Sequence, residues 1–196
     1  MMDRKQLDRV AGVLSAVGSP YLVGPATILA VLLAAPGTGT EKLAWAFICI
    51  VLPMVGPLLF TLWMMKKGLI TDLHITLRHQ RGSVFLVASL CALLAYGILV
   101  LTAAPPLMLA LGRAYLANCC LLAAVTSQWK ISIHGAFLGS GTVIVGAVHG
   151  VWAGLLAAAF LVLVGWSRTW RGRHTWAQVL TGAGTAALVT WLAMRA

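Results

Sequence analysis

The chain has 196 residues, of which 61% are hydrophobic and only 9% are charged, and its mean hydropathy is +0.95. A soluble domain carries about 25% charged residues, so this composition excludes a soluble globular fold and indicates an integral membrane protein. The 14 Lys and Arg outnumber the 4 Asp and Glu, a bias typical of cytoplasmic loops and of segments beside anionic headgroups. Because no nucleic-acid-binding motif accompanies the positive charge, nucleic acid is not expected as a partner.

The predicted elements begin with residues 1–17, whose charged and apolar side chains predict an amphipathic helix over 3–17 at the membrane interface. Apolar stretches of about 20 residues then predict membrane-spanning helices. These stretches lie near 18–35, 43–65, 84–103, 106–128, 133–148, 150–166 and 175–193. The region 133–166 holds two short spans that turn at His149 and Gly150. The sequence therefore predicts an all-α fold: a polytopic membrane helix bundle with six or seven transmembrane helices, as a single domain over 18–196.

Basic residues are distributed unequally between the two faces of this bundle. The N-terminus and three of the loops share one face and carry most of the 14 Lys and Arg. Those loops are 66–83, 129–132 and 167–174. The opposite face carries Lys42 and Arg195, and Arg113 falls inside a span without an evident partner. Because Lys and Arg in short loops stay on the cytoplasmic side, we expect the basic face to be cytoplasmic and the protein to lie in the cell (inner) membrane.

Polar residues near a membrane-embedded site are costly and usually functional, and three loops of the basic face each bring a histidine together with Arg or Lys. The candidate site residues are His74, Arg78, Arg81, Lys130, Ser132, His134, Arg168, His174 and Gln178. Guanidinium groups bind phosphate oxygens in bidentate fashion, and two imidazoles can divide the roles of nucleophile and acid. The set therefore predicts a phosphate site. Because the acidic residues offer no carboxylate cage for Mg²⁺ and the cysteines have no metal-ligand spacing, no metal and no other cofactor is expected.

The spacing in the last of these loops resembles the third motif of the type 2 phosphatidic acid phosphatase superfamily, a family of membrane lipid phosphatases. That motif is Ser-Arg, five residues, His, three residues and Asp. Ser167, Arg168 and His174 match it, and Gln178 stands where the family has Asp. Residue 178 is expected one helical turn beyond His174 on the same helix, so its side chain should contact the imidazole.

The other two motifs of the family are matched in part and in the right order. Its second motif, Pro-Ser-Gly-His, is matched by Ser132 and His134, with isoleucines in place of Pro and Gly. Its first motif, Lys, six residues and Arg-Pro, is matched by Arg81, with His74 at the Lys position and a glycine at the Pro position. The resemblance covers roughly residues 66–193, and the ordered set on one face carries it.

The resemblance implies a metal-independent phosphoryl transfer from a lipid phosphate or a prenyl diphosphate in the membrane. His174 would attack phosphorus and form a phosphohistidine, while His134 would protonate the leaving alkoxide and later activate water. The groups that would hold the phosphate oxygens are Arg81, Ser132 and Arg168, with Lys130 or Arg78 in place of the missing Lys.

The glutamine at 178 leaves two functions open. The family's Asp would accept the second N–H of the nucleophilic histidine, and losing such a carboxylate in another histidine enzyme costs about 10⁴ in rate. Gln178 can accept the same hydrogen bond without a charge. The chain is thus expected to be either a lipid phosphate phosphatase or a catalytically silent relative. The silent relative would bind a lipid or serve as a structural subunit, with membrane proteins or a second copy of the chain as partners. A small transporter is disfavoured, because the ionisable residues cluster at one face instead of lining a path through the midplane.

Overall fold

The structure, a computed structural model, describes residues 3–71, 80 and 82–196, and their side chains except that of Ser127. Every regular element in these ranges is a helix, which confirms the all-α prediction. The α-helices are α1 (Arg4–Val17), α2 (Pro20–Ala34), α3 (Gly39–Ile50), α4 (Gly56–Lys66), α5 (Gly82–Leu101), α6 (Pro106–Gln128), α7 (Ile133–His149), α8 (Val151–Trp170) and α9 (Trp176–Arg195). A π-helical segment, Val51–Val55, joins α3 to α4.

Helix length and composition confirm a polytopic membrane protein. Among the described residues, 5 helical stretches are long and apolar enough to cross a membrane. They are Gly39–Lys66, Gly82–Leu101, Pro106–Thr126, Val151–Trp170 and Trp176–Arg195. α1 and α2 meet at a bend of 49° and together would make a sixth span. The remaining predicted span corresponds to α7, whose 17 residues give a length of about 25 Å, slightly less than the hydrocarbon thickness of about 30 Å.

Local sequence explains where several helices begin and bend. Asp3 starts α1 through a reciprocal capping box with Gln6, and Thr38 starts α3 in the same way with Glu41. The π-helical segment contains Pro53, which has no backbone N–H to donate and therefore interrupts the regular α-helical hydrogen bonding.

The described residues form two compact units. The first combines those of Met1–Ala30 with Ile131–Trp191, and the second combines those of Val31–Lys130 with Leu192–Ala196. Within the first unit α8 packs against both α7 and α1, and within the second α5 packs against α6 and α4. α1 ends at Val17, where the interfacial segment was predicted to end. Its position at the interface and the assignment of 18–196 to a single domain stay predictions.

Glycines let α7 and α9 approach closely in the first unit. A Cβ added to Gly135 would lie 2.6 Å from the carbonyl oxygen of Val179, and one on Gly182 would lie 2.6 Å from the carbonyl oxygen of Ser132. Gly139 faces the backbone of α9 in the same manner. Small residues at such positions permit backbone contact between membrane helices. The close approach brings the N-terminal ends of α7 and α9 together.

In the second unit, Arg113 has a partner that the sequence did not name. Its Nε and Nη2 donate to the carbonyl oxygen of Ala193 at 2.9 and 2.6 Å. The last carbonyls of a helix lack intrahelical donors and form the negative end of the helix dipole. Arg113 therefore caps the C-terminus of α9, which accounts for a charged residue within a span.

Candidate functional site

The start of α7, the end of α8 and the start of α9 are joined by backbone hydrogen bonds at one end of the first unit. Ser132 N donates to the carbonyl of Gln178 at 3.2 Å, and His174 N donates to the carbonyl of Arg168 at 3.3 Å. His134 follows Ser132 by two residues, in the first turn of α7. Five candidates that the sequence assigned to the second and third motifs thus share one end of this unit. We call them the motif cluster: Ser132, His134, Arg168, His174 and Gln178.

The turn between α8 and α9 sets the position of His174. The carbonyl of Arg168 accepts hydrogen bonds from the N–H groups of Arg173, at 3.0 Å, and His174. Gly172 has a φ of 60°, the left-handed conformation that glycine adopts most readily after a helix. The chain therefore folds back at the end of α8. The Arg, five residues, His spacing consequently places the backbone of His174 against that of Arg168.

Gln178 contacts His174 as predicted, but the geometry differs from the prediction. His174 Nδ1 lies 3.2 Å from Gln178 Oε1. The expectation that both residues share a helix is wrong, because α9 begins at Trp176. Instead, Gln178 Oε1 accepts from Thr175 N at 3.2 Å, and Gln178 N donates to Thr175 Oγ1 at 3.3 Å. Thr175 and Gln178 thus form a capping box, which orients the amide oxygen toward the imidazole.

Ser132 and His134 are both buried at the start of α7. Ser132 is 0% exposed and His134 is 8% exposed. Ser132 Oγ accepts from Gly135 N at 3.2 Å and thereby caps α7. A hydroxyl that accepts one hydrogen bond still has its own O–H to donate. Ser132 can therefore cap the helix and donate to an anion.

Arg168 lies inside the unit, where it is 7% exposed. Its Nη1 donates to Ser15 Oγ on α1 at 2.8 Å. Two residues further on, Trp170 Nε1 donates to Asp8 Oδ1 at 2.7 Å. Sequence reasoning missed Ser15, because 3–17 was interpreted as an interfacial helix alone. The signal that points to it is the spacing of Asp8, Ala11, Ser15 and Gly18, which places these residues on one face of a helix.

Four further candidates were predicted from sequence. Lys130 is partly exposed in the turn before α7 and belongs to the second unit. His74, Arg78 and Arg81 lie outside the described residues, so the match to the first motif stays a prediction.

Comparison of the chain with protein-family models, curated proteins and solved structures finds no match. The motif cluster must therefore be interpreted from its own residues. They comprise a guanidinium, two imidazoles, a hydroxyl and an amide, and none of them carries a carboxylate. Such a set suits an oxyanion, since each of these groups can donate a hydrogen bond and the guanidinium also carries a positive charge. Within the described ranges, no group of His, Cys, Asp or Glu is arranged to hold a metal ion.

Proposed function

We propose that this chain is a membrane-embedded phosphatase, similar to the type 2 phosphatidic acid phosphatases, that hydrolyses a lipid phosphate or a prenyl diphosphate. The observation that carries the proposal is the contact of His174 Nδ1 with Gln178 Oε1 at 3.2 Å, in a turn whose backbone is hydrogen-bonded to Arg168. A histidine that is oriented by a second side chain, in a turn that follows a buried arginine, suits nucleophilic attack on a phosphoryl group.

The proposed reaction follows from the tautomer of His174. An amide oxygen can only accept, so Nδ1 carries the hydrogen in the neutral ring and the lone pair is on Nε2. Nε2 attacks phosphorus, an N–P bond forms, and the P–O bond to the lipid breaks. His134 gives its proton to the departing oxygen. Water then attacks the phosphohistidine while His134 takes a proton from that water. A P–O bond forms, the N–P bond breaks, Nε2 regains its lone pair, and phosphate leaves.

The charges of the motif cluster would stabilise this reaction. Negative charge spreads over the phosphoryl oxygens in the transition state. Arg168 would balance that charge, and because it is 7% exposed, its interaction with an anion would be weakly screened by water. Ser132 would donate its O–H to another phosphate oxygen.

The setting at a membrane interface supports a lipid substrate. Trp170 and Trp176 flank the turn between α8 and α9, and both are exposed. Tryptophan is enriched at the level of the headgroups. We propose that the basic face, including this turn, is cytoplasmic, that the protein lies in the cell (inner) membrane, and that the lipid tail lies along the helices.

A second candidate function is a catalytically silent, lipid-binding relative. The capping box favours it, because Gln178 Oε1 accepts a hydrogen bond from Thr175 N and thus has a structural role that is independent of chemistry. Such a protein would keep the anion site to bind a lipid or to join a membrane complex.

Phosphate release tests the two functions directly. The purified protein in lipid nanodiscs is given phosphatidic acid, phosphatidylglycerol phosphate and a prenyl diphosphate, with and without EDTA. We expect wild type to release phosphate from at least one of them, EDTA to leave the rate unchanged, and His174→Ala to abolish release. Binding without release would favour the silent relative, while strict dependence on Mg²⁺ or full activity in His174→Ala would refute the proposed chemistry.

A further inference from the structure

The N-terminal helix α1 lies along α8 and contacts it with one face. Asp8, Ala11, Ser15 and Gly18 follow one another at intervals of three or four residues, which places them in one row of the helix. Ala11, Ser15 and Gly18 are buried. By contrast, Val13 and Val17 of the same segment are exposed. The row from Asp8 to Gly18 is therefore the docking face of α1.

Three contacts fix the register of this docking face against the end of α8. Asp8 contacts Trp170, and Ser15 contacts Arg168, through the hydrogen bonds of 2.7 and 2.8 Å described above. At Gly18, an added Cβ would collide with the side chain of Val164. As the residue number increases along α1, the contacted residue in α8 has a lower number. The two helices therefore run antiparallel. Through Arg168, Ser15 joins the docking face to the motif cluster.

The bond between Ser15 and Arg168 is suited to orient the guanidinium. An arginine side chain has several rotatable bonds and loses considerable entropy when it is fixed. Holding Nη1 on a buried hydroxyl fixes the plane of the group before a phosphate arrives, so less of that entropy is lost on binding. Serine accepts through oxygen without adding a negative charge, and so it does not compete electrostatically with a phosphate.

We infer that Ser15 is a positioning residue for the guanidinium of Arg168, so that α1 forms part of the phosphate site. The inference rests on the proposed function, because it assigns Arg168 to the phosphate. It extends that function by giving the N-terminal helix a role in substrate affinity beyond membrane attachment.

The chain offers a matched control for the loss of one serine hydrogen bond. Ser140 Oγ and Thr190 Oγ1 lie 2.7 Å apart in the same unit. Thr190 is 14 positions beyond Trp176 in α9, about 21 Å along the helix at 1.5 Å per residue. Ser140→Ala therefore removes a comparable bond far from the motif cluster.

The experiment measures kcat and KM of the full chain for dioctanoyl phosphatidic acid, together with the Kd of the same lipid in the His174→Ala background, where it is not consumed. We expect Ser15→Ala to raise KM and Kd about tenfold with a smaller change in kcat, since a group oriented before binding acts on ground state and transition state alike. Ser15→Thr, which keeps the hydroxyl, should restore most of the affinity. Ser140→Ala should remain within about twofold of wild type.

A double-mutant cycle separates positioning from a general effect on folding. In an Arg168→Ala background, Ser15→Ala should not weaken lipid binding further, because the group that it orients is gone. Equal effects of Ser15→Ala and Ser140→Ala, or an undiminished effect without Arg168, would refute the role of Ser15 while leaving the proposed function intact. A wild-type protein that neither hydrolyses nor binds the lipid would overturn the proposed function and this inference together.

Discussion

Replacing Gln178 by glutamate should increase phosphatase activity. Gln178 Oε1 lies 3.2 Å from both His174 Nδ1 and Thr175 N. Glutamate has the same length as glutamine and is also favoured at this position of a capping box, so both hydrogen bonds can remain. Aspartate is one methylene shorter and cannot keep both contacts without moving α9. The third motif of the family has aspartate at this position, which on sequence grounds suggests Gln178→Asp, whereas the distances in the structure favour glutamate.

The expected size of the effect comes from the charge that develops on His174. Attack through Nε2 makes the ring cationic, and a carboxylate stabilises that charge better than an amide oxygen does. A hydrogen bond to a charged group contributes about 1 to 1.5 kcal/mol more than a neutral one, which corresponds to about a tenfold increase in kcat. The cost of about 10⁴ for losing a carboxylate in another histidine enzyme sets the upper limit. The new charge in the first turn of α9 should also stabilise the helix by about 0.3–1 kcal/mol.

The assay compares kcat and thermal stability of wild type, Gln178→Glu and Gln178→Asp on whichever lipid phosphate wild type hydrolyses. Gln6→Glu is the matched control, because Gln6 occupies the same capping-box position at the start of α1 and adds the same charge to another helix. We expect Gln178→Glu to exceed both wild type and Gln178→Asp, and Gln6→Glu to leave kcat unchanged. If Gln178→Glu folds normally and its kcat does not rise, the assignment of Gln178 as the residue that orients His174 is refuted.

Three further predictions concern packing, the buried charge and sidedness. Gly135→Ala should lower the folded yield and the melting temperature, because its methyl group would lie 2.6 Å from a carbonyl oxygen of α9. Gly184→Ala is the control and should be tolerated, because a Cβ added there would meet no neighbouring atom within 4 Å. Arg113→Leu should destabilise the protein by about 1–3 kcal/mol, as expected when a hydrogen bond from a charged donor is lost, and KM should stay the same. An unchanged unfolding midpoint in detergent would contradict the capping role. The cysteine of Arg171→Cys should not react with impermeant thiol reagents added outside intact cells, and it should react after permeabilisation. Position 171 is exposed and suits this test better than Gly172, whose φ of 60° disfavours other residues. Labelling of that cysteine from outside would reverse the assigned orientation.

The membrane-spanning helices could be predicted from sequence because hydrophobic length determines them. Each predicted span corresponds to a helix or, for 43–65, to the run from α3 through the π-helical segment to α4. The π-helical segment itself could not be predicted, since Pro53 is compatible with a simple kink as well as with a widened turn. The partner of Arg113 could not be predicted either, because a backbone carbonyl 80 residues away has no signature in sequence.

The motif cluster was predicted where spacing reflects local geometry. The spacing of Arg168 and His174 follows from one helix end and one left-handed glycine, both of which are local. The role of Ser15 was not predicted, because its contact with Arg168 joins residues 153 positions apart in the chain. The sign of such tertiary packing in the sequence is the weak helical periodicity of the docking face. The prediction that His174 lies within the last helix was wrong. The capping box of Thr175 and Gln178 begins α9 after the histidine.

The π-helical segment Val51–Val55 also decides which side chains of α3 and α4 share a face. A π-helical turn accommodates one residue more than an α-helical turn, and one residue corresponds to a rotation of about 100°. Trp45 and Trp63 are 18 positions apart, so a helical wheel would superpose them, yet Trp45 is 7% exposed and Trp63 is 51% exposed. Tyr115 Oη donates to the carbonyl of Pro53 at 3.1 Å. This hydrogen bond links α6 to the π-helical segment, where the side chains of α4 are rotated relative to those of α3. Adding or removing a single residue between positions 51 and 55 would therefore turn α4 about its own axis while leaving its sequence untouched.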